Sequence, residues 1–137
     1  MTVPHSPASN YLDRLAEFAC TTTLADIDPR ALRHLRVIIA DTLGAFAAGN
    51  QEPEMRALLA RQMDEVGGGH PSVVGTGQRL NPIDAAALNA AAGCWLELDE
   101  GNLASNGHPG IQVIPAPLAV AQQRCCSGAD SLLAVGI

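Results

Sequence analysis

The sequence predicts an all-α helical bundle, on three observations. Helix starts are written plainly at Asp28-Pro29, Glu52-Pro53 and Asn81-Pro82, each with a polar or acidic residue ahead of a proline whose missing N–H costs nothing in a first helical turn. Apolar residues recur at helical spacing, as in Leu32, Leu35, Ile39, Leu43 and Phe46. The strand signal is confined to Ser72-Val73-Val74, so at most a very short strand is expected near 72–74.

Taken in order, residues 1–9 carry prolines and serines without periodicity and read as a flexible leader ahead of a domain over 10–137. From Asn10 a helix is expected on Leu12, Leu15, Ala16 and Ala19, ending in the cluster Thr21-Thr22-Thr23. The next runs from Pro29 to about Ala48. Its second half, Ala40 to Gly49, is small and apolar and is expected deep in the bundle, with Asp41 as a structural carboxylate paired with an arginine or capping a neighbour. A third follows Pro53, with Met55, Leu58, Leu59, Met63 and Val66 as its stripe, and stops at Gly67-Gly68-Gly69. That triple glycine lacks the lysine and hydroxyl residue of a phosphate loop. His70-Pro71 reads as a turn.

Ile83 to Leu98 is apolar nearly all round, which predicts a helix buried among helices that delivers Glu97, Asp99 and Glu100 to the rim of the core, with Trp95 in the core or a pocket wall. A glycine-containing loop then leads to His108-Pro109. A further helix is expected from Pro115 or Pro117 to Gln123, and a last one from Ser127, whose hydroxyl and Asp130 form a capping-box variant. The sequence ends on the apolar run Leu132 to Ile137, the pattern expected of a chain cut inside a domain.

Composition narrows the function. Hydrophobic residues make up 47% and charged residues 16% of the 137, so part of the surface is expected to be covered by something. The net charge of −6 provides no basic field for nucleic acid or an anionic membrane. No stretch matches a signal peptide or a membrane span, and a cytoplasmic protein is expected. Cys20, Cys94, Cys125 and Cys126 lack the spacing of a zinc site and read as reduced, partly buried thiols; no metal site is expected.

The stretch Trp95 to Gly110 is where acid and base chemistry converge. Histidine is the side chain suited to act as base or acid at neutral pH, and His108 is expected in that role; Glu97 or Asp99 orients the imidazole or exchanges a proton with it. Pro109 restricts His108 to extended backbone and so directs the ring. What is missing is positive charge: the chain has no lysine, and beyond Arg79 only Arg124 joins His108 among basic side chains.

These blocks carry a resemblance. Ala40-Asp41-Thr42-Leu43-Gly44, then Val73 to Gly77, Asn81-Pro82 with Ala85 to Ala92, Leu96 to Asn102, Gly107-His108-Pro109-Gly110 and Ile114 to Ala119, in this order, resemble the MmgE/PrpD family, which includes 2-methylcitrate dehydratase and cis-aconitate decarboxylase. The resemblance runs from about Tyr11 onward and implies the N-terminal portion of that family's large helical domain. It implies a cofactor-independent lyase, dehydratase-like, acting on a small di- or tricarboxylic acid such as 2-methylcitrate, and a homodimer. A decarboxylase or an isomerase or epimerase of the same family is the alternative. On the family's motif, His108 falls on the active-site histidine, Glu97 on a position that is often aspartate, and Asp99 and Glu100 on the acidic pair; Gly107 and Gly110 are expected at the substrate. Cys94 stands where the family often has histidine. The resemblance further implies that lysines later in the chain hold the substrate, so this piece alone is expected to be inactive. A non-catalytic truncated helical module that pairs with itself or a partner is the competing reading.

Overall fold

The computed structural model describes residues 7–66, 68–104 and 106–137. Among them the chain forms α1 (Pro7–Thr21), a 3₁₀ turn (Leu24–Asp26), α2 (Pro29–Gly49), α3 (Pro53–Val66), α4 (Pro82–Trp95), α5 (Pro109–Val113), α6 (Pro115–Gln123) and α7 (Gly128–Gly136). The expected all-α class is what is found. Near 72–74 there is only an isolated bridge between Ser72 and Arg79. The expected leader falls mainly on residues 1–6, outside the described residues, and Pro7–Ser9 already belong to α1.

The marked helix starts work as their chemistry requires. Asp28 accepts from the Arg30 N–H, Asn81 accepts from Ile83 and Asp84, and Ser127 with Asp130 forms a complete capping box. In that box the Ser127 hydroxyl and amide hold the Asp130 carboxyl below its ordinary value, as Thr23 does for Asp26.

α4 is the centre, packed between α2 and α6, with α3 against its outer side and α7 closing on α6 and α2. Small residues make the α2–α4 approach possible. A Cβ added to Gly49 would sit 1.9 Å from the Ala92 carbonyl oxygen, and one on Gly93 would meet Ile111 Cδ1 at 2.0 Å. Phe46, Ile111 and Ile114 fill one core cluster; Met55, Leu59, Val73, Leu80, Leu88 and Ala92 fill another. The 72–80 segment is pinned to this frame by buried amides. Asn89 Oδ1 accepts from the Val74 N–H at 2.9 Å, Asn89 donates to the Ser72 carbonyl at 2.9 Å, and Asn50 donates to the Val74 carbonyl at 3.0 Å.

Several expectations are corrected. α4 is not buried all round: Ala85, Leu88, Asn89, Ala92 and Gly93 face inward, whereas Ile83, Ala87, Ala91 and Trp95 are exposed. An alanine-rich helix looks apolar on every face, so its sequence cannot mark the side that packs. Trp95 is 48% exposed and is no core residue. Asp41 is exposed with no ion-pair partner among the described residues, because the helical turn that buries Thr42 and Ala45 points it outward, where solvent replaces a counter-charge. All the cysteines are free, as expected, but exposed rather than partly buried, each lying at or beyond a helix end.

Candidate active site

α4 ends at Trp95 with Leu96 as its C-cap, and Glu97 then takes φ 53°, the left-handed conformation that closes many helices and that glycine favours. This turn reverses the chain and sends Asp99 and Glu100 back toward the bundle while Glu97 stays exposed. Asn102 and Gly107 pair across the following loop, with the Asn102 N–H donating to the Gly107 carbonyl at 2.9 Å and Asn106 at φ 49° between them. The loop delivers the chain to His108, the N-cap of α5.

Proline at the first position of α5 requires a non-helical residue before it. His108 answers with φ −119° and ψ 73°, outside the helical region though short of the fully extended geometry expected. α5 itself was not expected; Pro109-Gly110 reads as loop in sequence.

The structure brings Asp99 and His108 together: His108 Nδ1 lies 3.2 Å from Asp99 Oδ2. The Asp99 side chain is 7% exposed and that of His108 50%. A nearly buried carboxylate thus faces one ring nitrogen, an arrangement that favours a proton on Nδ1 in the neutral imidazole and leaves Nε2 as the basic nitrogen. Cys94 Sγ lies 3.9 Å from the same carboxylate oxygen. Although the residue is exposed, desolvation of the sulfur by its neighbours, followed by the charges of Asp99 and Glu97, pushes the Cys94 thiol above its ordinary value, so it is a neutral neighbour of the pair rather than a nucleophile.

Glu97 bonds to neither member of the pair. Glu100 faces away from the ring: its Oε1 accepts from the Gly110 N–H at 2.6 Å, and its buried Oε2 has no hydrogen-bond partner. Gly110 is therefore buried with its amide already engaged, and Gly107 has its carbonyl and amide turned to Asn102. The residue missed in sequence as a structural group is Glu100; only its place beside Asp99 pointed to it.

The pair opens on a hollow of about 660 Å³ between α4 and the α5–α6 segment. Ala87, Ala90 and Ala91 form one wall and Ile111, Pro115 and Ala116 the other, with Cys94, Asp99, His108 and Gln112 as polar groups and no arginine. Another hollow of about 600 Å³, beside α3, carries Arg56 and Asp64 but no histidine. Among the described residues no cluster of His, Cys, Asp and Glu is arranged to hold a metal ion, and no helix is long and apolar enough to cross a membrane.

What the arrangement can do chemically is move a proton at Nε2 with the resulting positive charge stabilised by Asp99. The chain is 27% identical over 131 residues to a cis-aconitate decarboxylase of Aspergillus terreus, an alignment that covers 92% of this chain and 27% of that enzyme. No solved structure matches it. The family model of the MmgE/PrpD N-terminal domain matches residues 13–137, and the chain belongs to the MmgE/PrpD family.

Proposed function

We propose that this chain is the N-terminal helical part of a cofactor-independent lyase, dehydratase-like, that acts on a small di- or tricarboxylic acid such as 2-methylcitrate, and that it contributes the proton-handling half of the site. The observation that carries the reading is the 3.2 Å approach of His108 Nδ1 to the nearly buried Asp99 carboxylate at the edge of an open hollow. In this reading His108 Nε2 takes the proton from the carbon next to a substrate carboxylate while the adjacent hydroxyl departs, and Asp99 stabilises the imidazolium that forms. Exposed Glu97 is the candidate for delivering a proton to the departing group. Gly107 and Gly110 set the loop backbone that borders the substrate rather than binding it with their amides, which are engaged.

The hollow has no arginine or lysine, and carboxylate substrates need such groups. The substrate-holding cations are therefore assigned to the longer chain of which the relative's length is representative. The same site, with the proton returned to carbon after loss of carbon dioxide, is suited to decarboxylation, and the similarity to a cis-aconitate decarboxylase favours that as the alternative activity. A cytoplasmic homodimer completes the proposal. Incubation of the 137-residue chain with 2-methylcitrate or cis-aconitate is expected to give no turnover above buffer. A chain carrying the segments found in the full-length relative is expected to turn one of them over. Turnover by the 137-residue chain alone would contradict the division of the site.

A second reading has its own observation. Tyr11, Leu12, Leu15 and Phe18 on α1 are each about half exposed or more, which favours a non-catalytic module that associates with itself or a partner. Light scattering that shows a strict monomer at high concentration would count against it.

A further inference from the structure

We propose that Glu100 is a positioning residue for His108, fixing the backbone on which the imidazole is mounted while its neighbour Asp99 fixes the ring. The proposal deepens the proton-transfer reading of the Asp99–His108 pair and rests on it for its catalytic consequence only.

The first turn of α5 needs an acceptor for its free N–H groups. A helix leaves its first N–H groups without intrahelical partners, and the side chain of the N-cap residue ordinarily accepts from the second or third of them. Here the N-cap is His108, Pro109 at the first position has no N–H, and Gly110 at the second does. His108 makes no side-chain cap bond. The Gly110 N–H instead goes to Glu100 Oε1 at 2.6 Å, a charge-assisted bond from a residue outside the helix. Glu100 thus performs the capping that the N-cap side chain would otherwise perform, and the imidazole is left to turn to Asp99.

The junction around this bond is tightly packed. A Cβ on Gly110 would lie 2.9 Å from Thr42 Oγ1 and 3.1 Å from the Glu100 carboxyl, so α2, the start of α5 and Glu100 meet at one point with no room for a side chain. Thr42 is buried, and neither its hydroxyl nor Glu100 Oε2 has a hydrogen-bond partner. A buried carboxylate oxygen without a partner is costly, and an apolar side chain would serve packing better. What the carboxylate adds is a directed bond to the residue two places beyond the histidine.

The test reads the ring itself. With 15N-labelled histidine in the whole chain, spectra of the neutral imidazole are expected to show His108 mainly as the Nδ1–H tautomer. Glu100→Ala is expected to raise the Nε2–H form several-fold, and Glu100→Gln, which keeps an acceptor oxygen for Gly110, to restore the wild-type ratio. In the chain extended to the relative's length, Glu100→Ala is expected to lower kcat by roughly 10- to 100-fold with KM little changed, the scale of a misplaced reacting group. A folded Glu100→Ala protein with an unaltered tautomer ratio would overturn the proposal. Should that variant not fold, the wild type decides: a Gly110 amide protected from exchange supports the proposal, and one exchanging at the free-chain rate overturns it. A shifted tautomer with unchanged kcat upholds the positioning role and counts instead against the proton-transfer reading.

Discussion

The α2–α4 seam and the 96–110 segment lie side by side and are built on opposite terms. At the seam, backbone meets backbone through Gly49 and Ala92, and Asn89 places its amide on the 72–74 backbone through both its oxygen and its nitrogen. In the 96–110 segment, non-glycine residues occupy left-handed backbone at Glu97 and Asn106, and Glu100 keeps an unpartnered buried oxygen. The seam too keeps buried oxygens without a partner, at Thr42 and Asn50, so what sets it apart is close backbone packing, which is what stability selects. Local backbone strain gathers where a structure holds groups in place for chemistry. The contrast assigns the seam to holding the bundle together and the segment to presenting Asp99 and His108.

The contrast is broken most severely at the seam. Gly49→Ala forces a methyl into the Ala92 carbonyl, which belongs to backbone and cannot turn aside; a loss of about 3 kcal/mol or more is expected, read as loss of the cooperative thermal transition. The segment responds in the other direction. Glu97→Gly relieves the left-handed strain and is expected to stabilise the fold by about 1 kcal/mol in denaturant melts, while removing a carboxylate from the site. An unchanged or lower midpoint would contradict the assignment of strain to Glu97.

A gentler probe is the Cys94 thiol. Its alkylation midpoint is expected above that of free cysteine, and Asp99→Asn is expected to bring it down because one of the charges that hold it up is gone. The smallest effects belong to the exposed caps. The Asp26 and Asp130 carboxyls titrate lower in the folded chain than in the unfolded one. Their contribution is therefore fully present above the unfolded value near 4 and lost as pH falls through the lower folded value. Asp130→Asn is expected to flatten the small acid-side loss of α7 helicity followed by circular dichroism as the pH falls below about 4.

Much of the bundle was legible because helix starts have a local code. Asp28-Pro29, Asn81-Pro82 and Ser127 with Asp130 each name their own cap. The facing of α4 was not legible, since alanine gives no contrast between a packed and a solvent side, and so Trp95 reads in sequence as a core or pocket-wall residue although it is exposed. At the site, the histidine and the acidic cluster could be read as a proton-transfer group. Their division of labour could not: Glu97, Asp99 and Glu100 lie past the helix end, where no periodicity says which side chain turns inward. The left-handed turn at Glu97 decides that, giving Asp99 to the ring and Glu100 to the backbone.

The most direct test is kcat of a chain extended to the relative's length and carrying His108→Asn, which keeps a polar side chain at the N-cap of α5 and removes the ionisable ring. If His108 moves the proton, kcat falls by about 10²- to 10⁴-fold, the range for loss of a general acid or base, with KM nearly unchanged. A kcat within twofold of the wild type would contradict it.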